Sequence, residues 1–460
     1  MKKIIVLIAF LLIFSTNLFA QTYSDAALAK VRQQDIISRD MGGKLQPLAA
    51  AEHNYRAEVY SSNRVFPEAR EHWSKILDNY PTEALVPKAL FGMARSFMWE
   101  RQYDKAVIWF SKLSPDYMNT KEGREGLAFK GASYVRMGKN LEAAQTYQQY
   151  TVMFPTGEKI ESAYLNLIDA LREAKKYDEA NAWVNQASTR FSGMPTEINA
   201  LQARLRMELY RGKWDKAIEA ADALLNLRDF SGSMSSADEI LYLKGFALEK
   251  SGKKAEAISV YSVIPDSFTS YYGGLATEKL KSLAPNNVKK IASVSPRLMK
   301  DYPVLYRAEL LRYAKAKGID PRFVLAIMKQ ESSFLTRAKS PSAARGLLQL
   351  VYDTALKYNQ KAGFPNFNAD DLYQPNVNIA IGSVYIADLK NQFGGLYEAI
   401  AASYNGGEDN AARWLNRSKP KDAAIFASEV GFAETKNYVF KVMNNYRVYR
   451  ELYTEDLLKK

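Results

Sequence analysis

An alanine returns along this chain at a fixed interval. Ala69, Ala106, Ala143, Ala180 and Ala217 stand 37 residues apart, and Ala257 follows 40 residues later. Their settings are alike: FPEA, YDKA, NLEA, YDEA, WDKA and KAEA. A fixed period in this range constrains the fold more tightly than composition does. One unit of that length cannot bury its own apolar face, so successive units must stack into a solenoid.

The unit reads as a pair of helices. Runs such as ALFGMARSFMWERQ and GLAFKGASYVRMGK precede the alanines and carry small and large apolar residues at helical spacing. A short turn follows, often with glycine (Gly138, Gly212, Gly252), and the second helix holds an aromatic four residues past the alanine: Trp73, Phe110, Tyr147, Tyr261. The alanine is small where two helices cross closely, and the aromatic fills the gap beside it. Pro81, Pro155 and Pro265 punctuate the unit ends. The pattern resembles the tetratricopeptide repeat, whose usual period is 34 residues, with the extra residues expected to lengthen the turn between units. Helix-pair solenoids bind proteins in their concave face or act as frames, so a protein partner through the repeats is an expectation. The aromatics read as packing groups.

Composition limits the chemistry available. The chain has 460 residues, 47% hydrophobic and 25% charged, and no cysteine. That excludes disulfides, thiolate metal sites, cysteine nucleophiles and a lipid-modified cysteine. The two histidines, His53 and His72, lie far from any other candidate group and in no metal-binding spacing; they read as helix-surface residues. No metal and no cofactor is called for. A net charge of +13 suits an anionic partner, and the scatter of lysines and arginines speaks against nucleic acid. At the N-terminus, Lys2 and Lys3 precede an apolar run from Ile4 to Phe14, then Ser15, Thr16 and Asn17. The run is shorter than the roughly 20 residues a membrane helix needs and fits a secretory signal cut after Ala20. The expectation is an exported protein with no membrane span after signal removal. The expected divisions are 1–20 signal, 21–50 lead-in, 51–265 repeats, 266–305 linker with Pro285, Pro296 and Pro303, and 306–455 a compact helical domain.

That last domain holds a lone acid. In GIDPRFVLAIMKQESSF, Asp320 can cap a helix and Pro321 suits its first turn. Phe323, Ile327 and Glu331 are four apart, with Val324 and Met328 on the same stripe. Glu331 therefore projects from an apolar face, where desolvation raises a carboxyl pKa by as much as three to five units on full burial. A carboxylic acid still protonated near neutral pH can give its proton to a leaving oxygen. A buried arginine partner is the equal alternative on spacing alone. Asp353, Asp370, Asp371, Glu398, Glu408 and Asp409 read as surface or capping groups.

Further motifs follow in order. They are ES at Glu331-Ser332, SP at Ser340-Pro341, GLLQ from Gly346 to Gln349, NIAIG from Asn378 to Gly382, SYNGG from Ser403 to Gly407, and ETKNYV from Glu434 to Val439. Gln349 is expected on a new helix, and Glu434 and Tyr438 on one face of another. Together these motifs resemble the soluble lytic transglycosylase family, with its goose-lysozyme-like catalytic domain acting on peptidoglycan. Leu348 stands where that family usually has methionine, Val351-Tyr352 replace methionine-proline, and Gly431 replaces a frequent proline.

The resemblance implies an all-α protein: a tetratricopeptide-like solenoid followed by a lysozyme-like domain, periplasmic, acting on peptidoglycan glycan strands. By position Glu331 would be the catalytic acid and then base. Ser340, Gln349 and Asn405 would contact the sugar. Tyr404 would support the charged transition state or orient Glu331, and Glu434 and Tyr438 would shape the far wall of the cleft. In that family one acid suffices. It protonates the oxygen linking N-acetylmuramic acid to N-acetylglucosamine, and the muramic C6 hydroxyl then closes onto C1 to give a 1,6-anhydro end. A lysozyme-like hydrolase and a non-catalytic wall scaffold are the competing readings.

Overall fold

The computed structural model describes residues 25–114, 116–287 and 296–460; the expected signal segment lies outside them. Two compact units result, one up to Leu113 and one from Ser114 onward. The first contains α1 (Asp25–Ile37), α2 (Ala50–Ser62), α3 (Phe66–Asn79), α4 (Val86–Trp99) and α5 (Tyr103–Ser111). The second begins with α6 (Lys121–Arg136), α7 (Asn140–Met153), α8 (Ile160–Glu173), α9 (Tyr177–Arg190), α10 (Pro195–Tyr210), α11 (Trp214–Asn226), α12 (Ala237–Lys250) and α13 (Lys254–Val263). It continues through α14 (Tyr271–Leu283), α15 (Pro296–Asp301), α16 (Arg307–Tyr313), α17 (Pro321–Ser332), α18 (Tyr352–Leu356), α19 (Pro375–Gln392), α20 (Tyr397–Gly406), α21 (Glu408–Arg417), α22 (Ala423–Glu429) and α23 (Ala433–Leu452). The fold is all-α, and no described helix is long and apolar enough to cross a membrane.

The repeat pattern is visible in the packing. All six period-marking alanines are 0% exposed, and the aromatics one turn later are buried with them. Three of these rings pack against a missing side chain: a Cβ on Gly92 would come within 2.4 Å of Trp73, one on Gly131 within 2.8 Å of Tyr147, and one on Gly245 within 2.7 Å of Tyr261. Within a unit the turns are short, as at residues 137–139 and 174–176, while the connections between units run longer and vary, as at 112–120 and 227–236.

The histidines are not on the surface. His53 and His72 are each 0% exposed, and they join Asp35, Arg56 and Tyr60 in a closed polar cluster between α1, α2 and α3. Leu48 N–H donates to His53 Nε2 at 2.9 Å, which leaves the His53 proton on Nδ1. That proton points at His72 Nδ1, 2.9 Å away, so the His72 proton sits on Nε2 and reaches Asp35 Oδ2 at 3.0 Å. Arg56 and Tyr60 donate to the same carboxylate at 2.7 and 2.6 Å. Apolar periodicity does not detect this, because the buried face of α2 is polar.

In the second unit the stretch 266–305, expected as a linker, contains α14, whose Tyr271 and Tyr272 are 7% and 3% exposed. Helix α22 also crosses between repeat and terminal domain: Ile425 joins the cluster of α10–α12, and Ala424 and Ala427 join that of α12–α14. Beside it, Glu429, 1% exposed, meets Arg172 at 2.8 Å and Arg417 at 3.2 Å, and Arg417 reaches Asp169 at 3.0 Å. Leaving one such charge buried alone costs several kcal/mol, so this seam holds only in one register.

Candidate active site

The site is built on the end of α17. Asp320 caps that helix, its Oδ1 accepting from Arg322 N–H at 2.9 Å, and its Oδ2 accepts from Tyr446 O–H at 2.8 Å. From Phe323 to Met328 every residue is 0% exposed. Glu331 comes on the last turn and is partly exposed. The helix then stops, because Ser333 and Phe334 take left-handed φ of 48° and 67°. Ser332, buried, donates to Leu347 O at 2.8 Å and ties this end to the next loop.

That loop is a tight turn rather than the expected helix. Gly346 has φ 77°, and a Cβ there would come within 2.1 Å of Leu372 O. Gln349 also lies in the left-handed region, at φ 46°, and α18 begins only at Tyr352. Asn378 on α19, 0% exposed, holds the turn from beneath. It accepts from Leu348 N–H at 2.9 Å and donates to Arg345 O and Leu372 O at 3.0 and 2.8 Å. Gly382 leaves room for the Leu348 side chain, which a Cβ would approach to 2.4 Å. Tyr404 donates to Leu348 O at 2.6 Å. The NIAIG and GLLQ motifs thus meet as one packed unit, with Asn378 and Ser332 as supports that motif reading alone did not assign.

Opposite lies α23. Tyr438 O–H donates to Glu331 Oε1 at 2.6 Å. Burial pushes the Glu331 carboxyl up to about 7; the Tyr438 bond opposes this and the negative charge of Glu434 adds to it. Among the described residues no lysine or arginine pairs with Glu331, so the alternative of a buried arginine partner fails. Glu434 is exposed in the first turn of α23. Thr435 donates to Asn405 Oδ1 at 2.7 Å, fixing the end of α20.

The other expected residues are placed as follows. Tyr404 gives its hydrogen to Leu348, so Tyr438 is the tyrosine that donates to Glu331. Ser340 Oγ accepts from Ala344 N–H at 3.1 Å within its own turn. Gln349 Nε2 donates to Ala338 O and Gly346 O at 3.0 and 2.8 Å. Tyr385 from α19 completes an aromatic lining, 5.4 Å from Tyr404.

Glu398 is a correction: it is not a surface group but 5% exposed. Burial pushes it too up to about 7, against an opposing bond from Tyr271 and with Asp422 adding to the rise. Two carboxyls therefore share a raised pKa. Only Glu331 keeps partial exposure; Glu398 is sealed under Tyr271, whose hydroxyl lies 3.2 Å from it.

With this geometry established, comparison with known proteins is informative. The family model described as Transglycosylase SLT domain matches residues 310–427, which includes Glu331, Ser340, Gln349, Tyr404 and Asn405 but stops before Glu434 and Tyr438. Tetratricopeptide repeat protein 21 ARM repeat matches 127–226, and Tetratricopeptide repeat matches 203–271. The soluble lytic murein transglycosylase of Salmonella typhimurium is 32% identical over 151 residues, 32% of this chain and 23% of that protein. The membrane-bound lytic murein transglycosylase C of Salmonella arizonae is 32% identical over 210 residues, 40% of this chain and 57% of that protein. The match thus spans about a quarter to just over half of these relatives' lengths. Among solved structures, an inactive mutant of lytic transglycosylase Slt from Pseudomonas aeruginosa aligns over 91% of this chain and 83% of that one, with TM-score 0.51 and 16% identity; this is a likeness of fold. Residues 310–427 are thus a member of the Transglycosylase SLT domain family, carried in this chain behind tetratricopeptide repeats.

Proposed function

We propose that the protein is an exported lytic transglycosylase that cleaves the β-1,4 bond between N-acetylmuramic acid and N-acetylglucosamine in peptidoglycan. The observation that carries this is Glu331: partly exposed, held by one tyrosine, and without a cation among the described residues. With its carboxyl at about 7, about half is protonated at pH 7, against roughly 0.3% for an ordinary glutamate. That protonated fraction is what a general acid requires.

The steps balance without water. Glu331 gives its proton to the glycosidic oxygen as the C1–O bond breaks. The muramic C6 hydroxyl forms a new bond to C1, and Glu331, now a carboxylate with Tyr438 still donating to it, takes the hydroxyl proton. The protein returns to its starting state and the glycan ends in a 1,6-anhydro ring. Glu434 keeps the carboxyl from ionising early. Gln349 and Ser340, on the turn bracing Glu331, and Asn405, exposed at the end of α20, are in reach of a strand laid along the site. The net charge of +13 favours an anionic polymer. The basic N-terminal segment supports export to the periplasm, and the solenoid is the surface for a protein partner.

The test is mass spectrometry of fragments released from purified sacculi. Anhydro ends are expected; ends heavier by one water would indicate a hydrolase. No release by the intact protein, or full release by Glu331→Gln, would remove the proposal.

A further inference from the structure

Helix α23 has two working faces. Tyr438, Val439, Val442, Tyr446 and Tyr449 pack into the core around α17. Lys436, Phe440, Asn444 and Arg447, spaced by four, four and three, form a stripe facing the end of the repeat series. Every residue of that stripe is held. Lys436 Nζ donates to Glu239 Oε1 on α12 at 2.7 Å, with the two side chains 2% and 1% exposed. The Phe440 ring stacks on Tyr271 at 4.8 Å and meets Tyr272 edge-on at 5.5 Å. Asn444 donates to Thr269 O at 2.9 Å. Arg447 grips Asp266 with two bonds of 2.7 and 2.8 Å. A Cβ on Gly274 would come within 2.7 Å of that arginine, so the glycine leaves the space it occupies. The same Tyr271 reaches Glu398 in α20, the helix that carries Tyr404.

We propose that Glu239, Asp266 and Tyr271, which lie before the transglycosylase domain in sequence, are positioning residues of the active site: by gripping α23 they hold Tyr438 on Glu331. The inference rests on the proposed role of Glu331 and extends it. The 2.6 Å bond from Tyr438 is the one hydrogen bond Glu331 receives among the described residues, and it is made across two helices whose other polar links, Tyr446 to Asp320 and Arg322 to Tyr453 O, lie at the far end of α17. A displacement of about 1 Å at such a contact costs roughly 100-fold in rate. The groups facing Glu331 are Tyr438 and Glu434 from α23 and Tyr404 from α20, with Tyr385 of α19 beside the two tyrosines. Since the Tyr438 bond favours the ionised carboxyl, loosening it moves the Glu331 titration upward, and the alkaline limb of activity, which needs the protonated acid, moves upward with it.

The experiment is a carbon-13 titration of labelled glutamate carboxyls in the full chain, with the Glu331 signal assigned from Glu331→Gln and sacculus cleavage measured in parallel. Tyr438→Phe sets the expected direction. The double variant Glu239→Leu with Lys436→Met removes both buried charges together. It is expected to raise the Glu331 midpoint in the same direction, to slow cleavage roughly tenfold, and to add nothing further to Tyr438→Phe, as coupled sites do. Should that double variant fail to fold, Asp266→Asn, at the other end of the stripe, gives the same reading. Folded variants with an unmoved midpoint, or effects additive with Tyr438→Phe, would overturn the proposal even if the wild type cleaves sacculi. A midpoint that follows the grip in a protein that cleaves nothing would sustain the positioning and remove the enzymatic reading.

Discussion

Two polar sites in this molecule are sheltered from water in opposite ways. In the first unit, Asp35, Arg56, Tyr60, His53 and His72 form a cluster in which the proton positions follow one from another and each links to the next. Three donors hold Asp35 down at about 2, outweighing the rise that burial alone would cause. In the second unit, Glu331 receives a single donor and meets no cation among the described residues, and is pushed up to about 7. A polar group buried for architecture has its valences satisfied, because an unsatisfied one costs about 1–3 kcal/mol. A polar group kept for chemistry has one valence fixed for orientation and another left open for substrate. Among the described residues Glu331 Oε2 accepts no hydrogen bond, which is what the proposed role requires. Glu398 marks the boundary between the two cases: its carboxyl too is raised to about 7, but it is 5% exposed and bonded to Tyr271.

The contrast can be broken most strongly at Glu331. Glu331→Gln keeps the shape and the Tyr438 contact, and is expected to lower release of muropeptides from sacculi by at least about 10²–10⁴-fold with an unchanged circular-dichroism melt. The converse holds for Asp35→Ala, which leaves the buried Arg56 guanidinium only the partly exposed Glu52 as a charge partner and takes the acceptor from Tyr60 and His72. It is expected to cost about 3–5 kcal/mol in urea unfolding of the first unit. A cost below about 1 kcal/mol would mean that the cluster is not the closed network described.

The histidines sharpen the comparison through pH. Burial, with the charge of His72 next, pushes His53 down to about 4. Between an unfolded value near 6.5 and that folded value, the unfolded chain binds more protons, so stability rises with pH across this window and is lost as pH falls from about 6.5 towards 4. A proton on either ring would set two N–H groups against each other, at Leu48 or between the rings. The expected loss is about 3 kcal/mol by pH 4, seen as earlier urea unfolding of the first unit, and absent in a His53→Gln variant.

The smallest effect is expected at Glu398. Its folded pKa is raised, so it contributes relative stability at low pH that declines as pH climbs from about 4.5 through about 7. Glu398→Gln is therefore expected to melt no lower than wild type at pH 8 and to cleave sacculi within about twofold of it. A large loss of cleavage would move Glu398 into the same class as Glu331.

Reading by residue type and spacing worked where the signal was local. The alanine-plus-aromatic period placed the helix pairs, because each unit buries the same face. The stripe Phe323–Ile327–Glu331 placed the acid, because a helix fixes which residues share a face. Local spacing failed where burial depends on distant chain. His53 and His72 looked like surface residues because their partners are polar. Glu398 looked like a cap because nothing near it in sequence announces Tyr271. Gln349 was expected on a helix, but Gly346 and Asn378 impose a turn.

The sequence by itself determined the helical periods, the place of Glu331 on an apolar helix face and the motifs around it, since those are properties of neighbours along one chain. Only the tertiary structure decided that Glu331 has Tyr438 for its donor rather than Tyr404, and that α14 is packed core rather than linker. It alone decided that α23 is held from the repeat side by Glu239, Asp266 and Tyr271. Those outcomes depend on which of several candidate faces meet across long loops. That choice is made by the summed packing of the whole unit, which no short stretch of residues encodes.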